Sequence, residues 1–135
     1  EDPASLFANS PFARCLGIRL GEDDTLVMPF SPKIIGNPML PAIHGGMTGA
    51  FLETTAIVGV TRELGVLAPP KPIGLTINYL RSGRALDSYA RVSIVKQGRR
   101  VVAFEAQAWQ DDPAKPIASA FGHFMLRKMP GADED

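Results

Sequence analysis

Residues 44–64 read "HGGMTGAFLETTAIVGVTREL", and the reading of this stretch decides the fold. Between Gly45 and Thr61 the only charged residue is Glu53. Met47, Ala50, Phe51, Thr54, Ile57, Val58 and Thr61 recur at three- and four-residue steps and form one helical face. Gly49, Leu52, Ala56 and Val60 make the other face apolar as well. A helix that is apolar all round is buried on most sides, as when an antiparallel sheet curls around it. Gly65 then closes the helix as a C-cap. A carboxylate inside such an enclosure is costly unless it is paired, and groups kept at that cost are candidates for chemistry. The plain alternative is a Glu53 paired with Arg or Lys, or one bordering solvent at a subunit seam.

Working outward, residues 18–20 and 25–30 predict a first hairpin, with "GEDD" as its polar turn. Short helical turns interrupted by Pro11 are expected within 5–16, and a Pro- and Gly-rich loop precedes the helix. After "APPKP" four strand-like runs follow, at 73–80, 87–96, 99–109 and 116–127. They are rich in Val, Ile, Phe, Tyr and Thr, and several alternate. "KQGR" and "DDPAK" join the last three. The order is two strands, one long helix and four strands: an α+β meander wrapped around a helix, read as one domain over 1–135 with its core at about 18–127.

The 135 residues carry 14 basic and 14 acidic groups, so no overall field favours nucleic acid or an anionic membrane. One cysteine, Cys15, excludes an internal disulfide and points to a reducing compartment. No run reaches the roughly 18 apolar residues of a membrane span. The start "EDPASLFANS" has neither the basic nor the apolar region of a secretory signal. The expectation is a soluble cytoplasmic domain. Two histidines and one cysteine, scattered in sequence, give no metal-ligand spacing.

Gly45 and Gly46 fall where the helix begins, and the first backbone N–H groups of a helix have no intrahelical partner. Without side chains in the way, a carbonyl oxygen can approach these amides at the positive end of the helix dipole, as in an oxyanion hole. Glu53 follows Gly46 by seven residues, nearly two turns, so both lie on one side of the helix. That separation is roughly 10 Å along the axis, too far for one carbonyl to meet both groups. If both act on one substrate, Glu53 comes from a second helix packed antiparallel across a two-fold axis.

"HGG" opening a helix, an acid nine residues after the His and four strands beyond resemble the hotdog-fold thioesterases, with the phenylacetate-pathway (PaaI-like) branch the nearest. "INYLRSG", "KQGRRVVAFEAQAW" and "ASAFGHFML" share that resemblance, which covers roughly residues 25–126. It implies a long central helix wrapped by a curved antiparallel sheet, and a homodimer or homotetramer with acyl-CoA bound at the subunit interface. It further implies that Gly46 donates its N–H to the thioester oxygen, with Gly45 and Met47 beside it. Glu53 would activate water or attack the thioester carbon, and His44 would orient the glycine turn. Asn37 resembles the family's water-holding Asn, although it precedes His44 by seven residues rather than the family's six. The hydroxyl that the family often places early in the next strand has only Thr76 as a distant substitute.

Arg81, Arg84 and Arg99 stand at strand ends and turns, where they can meet the phosphates of coenzyme A. Tyr79 and Trp109 read as core or interface residues. Coenzyme A enters as part of the substrate, with no separate cofactor. The leading expectation is an acyl-CoA thioesterase, and the alternative from another class is a non-catalytic acyl-CoA-binding module. An enoyl-CoA hydratase of the same fold would need an Asp/His pair on one helix, which the sequence lacks.

Overall fold

The computed structural model describes residues 17–30, 45–65 and 71–126. The helical turns expected within 5–16, and both Asn37 and His44, lie outside these residues. The elements are β1 (Arg19–Leu20), β2 (Leu26–Met28), α1 (Gly45–Leu64), β3 (Lys71–Tyr79), β4 (Ser88–Gln97), β5 (Val101–Trp109) and β6 (Ala118–Met125). Each agrees with its sequence expectation to within two residues at either end. Between β1 and β2 the "GEDD" turn forms one 3₁₀ turn, Glu22–Asp24, closed by a Gly21 N–H that donates to the Thr25 carbonyl at 2.6 Å.

Why α1 survives its β-branched and glycine residues follows from what it buries. Its threonines bond back along the helix: the hydroxyls of Thr54, Thr55 and Thr61 donate to the carbonyls of Ala50, Phe51 and Ile57 at 2.9, 2.8 and 2.6 Å. Each therefore enters the interior without an orphaned polar atom. At the C-terminus Gly65 adopts φ +65° and donates its N–H to the Thr61 carbonyl at 3.0 Å, the left-handed cap expected of a glycine there.

All six strands form one antiparallel sheet in the order β1-β2-β4-β5-β6-β3. A simple meander would set β3 beside β4. Instead β2 pairs with β4, and β3 pairs with β6 at the far edge. The reason is the helix between them. Twenty residues at about 1.5 Å each carry the chain roughly 30 Å across the sheet face, so it re-enters the sheet at the opposite edge.

The inner face of the sheet is built small. Ala90, Ala106, Ala108, Ala118 and Ala120 are fully or almost fully buried and let the helix approach, with Phe51, Leu52 and Val58 packed over them. A second cluster stacks Phe104 on Phe124 with centroids 4.6 Å apart, beside Ala56, Val60 and Val102. Burial is uneven around α1. Thr48, Gly49, Leu52, Thr55, Ala56 and Val60 are buried, whereas Met47, Ala50, Glu53, Thr54 and Ile57 form a half-buried stripe. The single chain encloses less of the helix than its composition predicts. Among the described residues no helix is long and apolar enough to cross a membrane.

Two β-bulges turn apolar residues outward, at Ile73 in β3 and Val95 in β4. The first bulge brings the Gly74 backbone so close to Gly122 that a Cβ at Gly122 would run into the Gly74 carbonyl. Gly122→Ala is therefore expected to cost on the order of 1–3 kcal/mol, the usual range for overpacking, read as a lower urea midpoint at unchanged slope. An unchanged midpoint would show that β3 can slide away from β6 without loss.

Candidate functional site

The helix start and the free edge strand meet at one place. Gly45 and Gly46 are exposed in the first turn of α1, and Tyr79 ends β3 beside them. The Tyr79 hydroxyl donates to the Gly45 carbonyl at 3.0 Å. One turn further along, a Cβ at Gly49 would lie 2.9 Å from Ile77 Cδ1 and 3.1 Å from the Tyr79 hydroxyl. Glycine at 49 thus leaves room for the Ile77 tip and the Tyr79 hydroxyl where α1 lies against β3. Glu53 follows Gly49 by four residues and shares its side of the helix. The carboxylate is therefore carried on the flank of α1 that runs along β3, the edge strand of the sheet among the described residues.

Glu53 is half-buried, and among the described residues no donor hydrogen-bonds or pairs with its carboxylate. The ion pairs seen are elsewhere: Arg62 with Asp24, and Arg84 with Asp111. An internal structural ion pair therefore does not account for this charge within the described residues.

A cleft of about 380 Å³ opens at the helix start, walled by Gly45, Thr48, Tyr79, Leu80, Arg81 and Ile117. Its outer wall is the connection from β3 to β4, which is held firmly. The Leu80 and Arg81 N–H groups both donate to the Ile117 carbonyl, at 2.8 and 3.1 Å. Arg81 Nη1 donates to the Pro116 carbonyl at 2.7 Å. The buried side chain of Gln110 accepts from the Arg84 N–H at 2.9 Å and donates to the Arg84 carbonyl at 2.9 Å. Another cleft, of about 400 Å³, lies between β2, β4 and the C-terminal half of α1, and there Arg62 is tied to Asp24 across the rim.

The sequence-predicted residues divide accordingly. Gly45, Gly46, Met47 and Arg81 gather at the helix start, with Arg84 on the same connection. Glu53 lies two turns along α1, as its spacing requires. Arg99 sits in the turn before β5, whereas Gln110, which holds Arg84, follows its end; the nine residues of β5 put roughly 27 Å between those ends. Within one chain Arg99 does not join the other two arginines. Thr76 is exposed while its neighbours Leu75 and Ile77 pack inward, so it faces away from α1 and does not meet Glu53 of its own chain. Asn37 and His44 lie outside the described residues. Tyr79 and Gln110 escaped the sequence reading as site residues. The glycines at 45 and 49, one turn apart, were the available sign that an aromatic tip docks on the helix. Among the described residues no group of His, Cys, Asp and Glu could hold a metal ion.

A family model described as the acyl-CoA thioesterase N-terminal domain matches residues 36–125. None of the curated proteins matches the chain. Among solved structures, the phenylacetic acid degradation-related protein of Ralstonia eutropha is 25% identical, with a TM-score of 0.73 over 93% of this chain and 100% of that one. A Bacillus halodurans protein solved with CoA is 26% identical, with a TM-score of 0.73 over 86% of this chain and 78% of the other. The PaaI protein of the Escherichia coli phenylacetic acid degradation operon shares the fold, with a TM-score of 0.76 over 93% and 90% of the two chains at 17% identity.

Proposed function

The chain belongs to the acyl-CoA thioesterase N-terminal domain family and has the hotdog fold of its PaaI-like relatives, and from this premise we propose that it hydrolyses the thioester of an acyl- or aryl-CoA. The observation that carries the proposal is Glu53, a carboxylate without a partner among the described residues, on the half-buried, edge-facing flank of α1. Simple binding of a thioester gives no reason to keep such a charge. A Bacillus halodurans neighbour solved with CoA supports the substrate class.

The chemistry needs a base, a water and an oxyanion donor. Glu53 takes a proton from water as the water oxygen attacks the thioester carbon, and the negative charge moves to the carbonyl oxygen. The Gly46 N–H at the helix start stabilises that oxygen. Collapse re-forms the carbonyl and expels the sulfur, which leaves as the coenzyme A thiol after taking the proton from Glu53. In the covalent variant Glu53 attacks the carbon itself, and water cleaves the resulting anhydride. Label found in the Glu53 carboxylate after a single turnover in ¹⁸O-water establishes the covalent route, because it arises only when water attacks the anhydride at the Glu53 carbonyl. His44 and Asn37 keep the roles the resemblance gives them, orienting the glycine turn and holding the water. Coenzyme A is part of the substrate, no further cofactor takes part, and the reaction is placed in the cytoplasm.

The same distance that separates Gly46 from Glu53 calls for two chains per site. Edge strand β3 leaves Ile73 48% and Tyr79 57% exposed, with Leu80 just beyond it 51% exposed, and among the described residues no strand lies on its outer hydrogen-bonding side. Antiparallel pairing of two β3 edges about a two-fold axis would cover these residues and lay the half-buried stripes of two α1 helices together. Doubling to a tetramer is compatible with this arrangement.

An acyl-CoA panel assayed by thiol release tests the activity. Tight binding with no thiol released from any member would make the chain a sequestering module. For the coenzyme A end, Arg81→Glu is expected to raise KM for acyl-CoA about tenfold, while an acylated N-acetylcysteamine, which lacks the phosphates, changes little. Equal losses on both substrates would make Arg81 a structural residue serving only the Pro116 carbonyl.

A further inference from the structure

We propose that Tyr79 is a positioning residue of this site, whose hydroxyl orients and polarises the Gly45–Gly46 peptide unit. The inference rests on the thioesterase reading of the helix start and adds a residue to it. The Gly45 carbonyl and the Gly46 N–H are the two ends of one delocalised peptide group. A donor on the carbonyl oxygen draws electron density from the nitrogen, so the N–H at the other end becomes a stronger donor. Hydrogen bonds in such chains reinforce one another by roughly 10–30%. The chain runs from the Tyr79 hydroxyl through the peptide to the thioester oxygen.

Three observations carry the assignment. Tyr79 is 57% exposed, so water could satisfy its hydroxyl, yet the hydroxyl is spent on the Gly45 carbonyl at 3.0 Å. The ring packs on the helix start: Cε1 and Cζ lie 3.7 and 3.8 Å from where a Gly45 Cβ would stand, an ordinary contact distance. At Gly49 a Cβ would come within 3.1 Å of the hydroxyl itself, close enough that the hydroxyl would have to shift. The same ring and Gly45 both line the 380 Å³ cleft, so the Tyr79–Gly45 bond lies at its wall. Tyr79 also ends the free edge strand, which ties the helix start to the strand expected to carry the subunit contact.

Tyr79→Phe keeps the ring and removes the donor. It is expected to lower kcat about three- to tenfold, the worth of one neutral hydrogen bond, with KM and melting temperature little changed. Fluorinated tyrosines at this position, in a Tyr89→Phe background, supply a graded series. At a pH where every phenol stays protonated, kcat should rise with phenol acidity, whereas a merely structural tether would leave it flat. The Gly46 amide proton gives a reading independent of turnover, and its NMR resonance should move upfield in Tyr79→Phe. Glu53→Gln measured alongside separates the two ideas. Unchanged kcat and an unchanged Gly46 resonance in Tyr79→Phe, with turnover lost in Glu53→Gln, would overturn the positioning role and leave the thioesterase reading intact. If the unaltered chain hydrolyses no thioester, that reading fails, and the Gly46 resonance alone then decides whether Tyr79 polarises the peptide.

Discussion

Glu53→Gln is expected to lower kcat for acyl-CoA hydrolysis by a factor on the order of 10² to 10⁴, or about 3 to 5 kcal/mol of barrier, the usual worth of a positioned base. The expectation follows from where the charge sits. Glu53 lies half-buried on a helix whose neighbouring side chains are apolar, and among the described residues nothing neutralises it. Gln is nearly isosteric, so the shape of the half-buried stripe is kept while the proton acceptor is lost. KM should stay within a few-fold, because the carboxylate acts chiefly on the attacking water rather than on bound substrate. The melting temperature should hold or rise, as expected of a residue kept for activity at some cost in stability. Glu53→Asp shortens the reach by about one methylene and should retain partial activity. The opposite pattern would be an oligomer that falls apart, or a chain that unfolds, with unchanged turnover per folded subunit. That would make Glu53 an interfacial ion-pair partner, and the thioesterase mechanism would need another base.

How far the sequence carried this picture depends on the range of each interaction. Helix α1 was legible to the residue at its C-terminus, because Gly65 caps it through a local bond to Thr61. Strand limits were legible through alternation, which is also local. The pairing of β3 with β6 was not, since neither strand carries a mark of its partner and the decisive fact is the length of the helix crossing between them. The same limit governed the arginines. Arg81, Arg84 and Arg99 all stand at strand ends, but only the register shows that Arg99 belongs to the other end of the sheet. Tyr79 read as packing because an aromatic at the end of a strand usually packs. Its bond to Gly45 spans 34 positions and exists only once α1 lies against β3. For Glu53 the reach argument ran from spacing alone, and the structure adds that its flank of the helix looks along β3, the edge strand among the described residues.

Mixing two inactive variants should restore activity, and this is the sharpest consequence of a site shared between chains. Glu53→Gln removes the base. Gly46→Pro removes the amide donor at a first-turn helical position, where the fixed φ of proline suits the helix. Each homodimer then lacks one essential group at both sites and is expected to retain under about 1% of normal turnover, given losses of 10²-fold or more for a base or an oxyanion donor. In a heterodimer, one site joins an intact Gly46 from the first chain with an intact Glu53 from the second, while the other site has neither. Random assortment of an equal mixture makes about half the dimers mixed, each with one of two sites complete, so roughly one quarter of normal activity should return. The variants must be unfolded and refolded together, or co-expressed, so that subunits exchange. Recovery to that level requires the oxyanion donor and the base to come from different chains, which the separation of nearly two helical turns demands. Two outcomes exclude the shared site. One is a mixture that stays inactive although light scattering and differential tagging show heterodimers, and the other is a wild-type monomer that turns over substrate unaided.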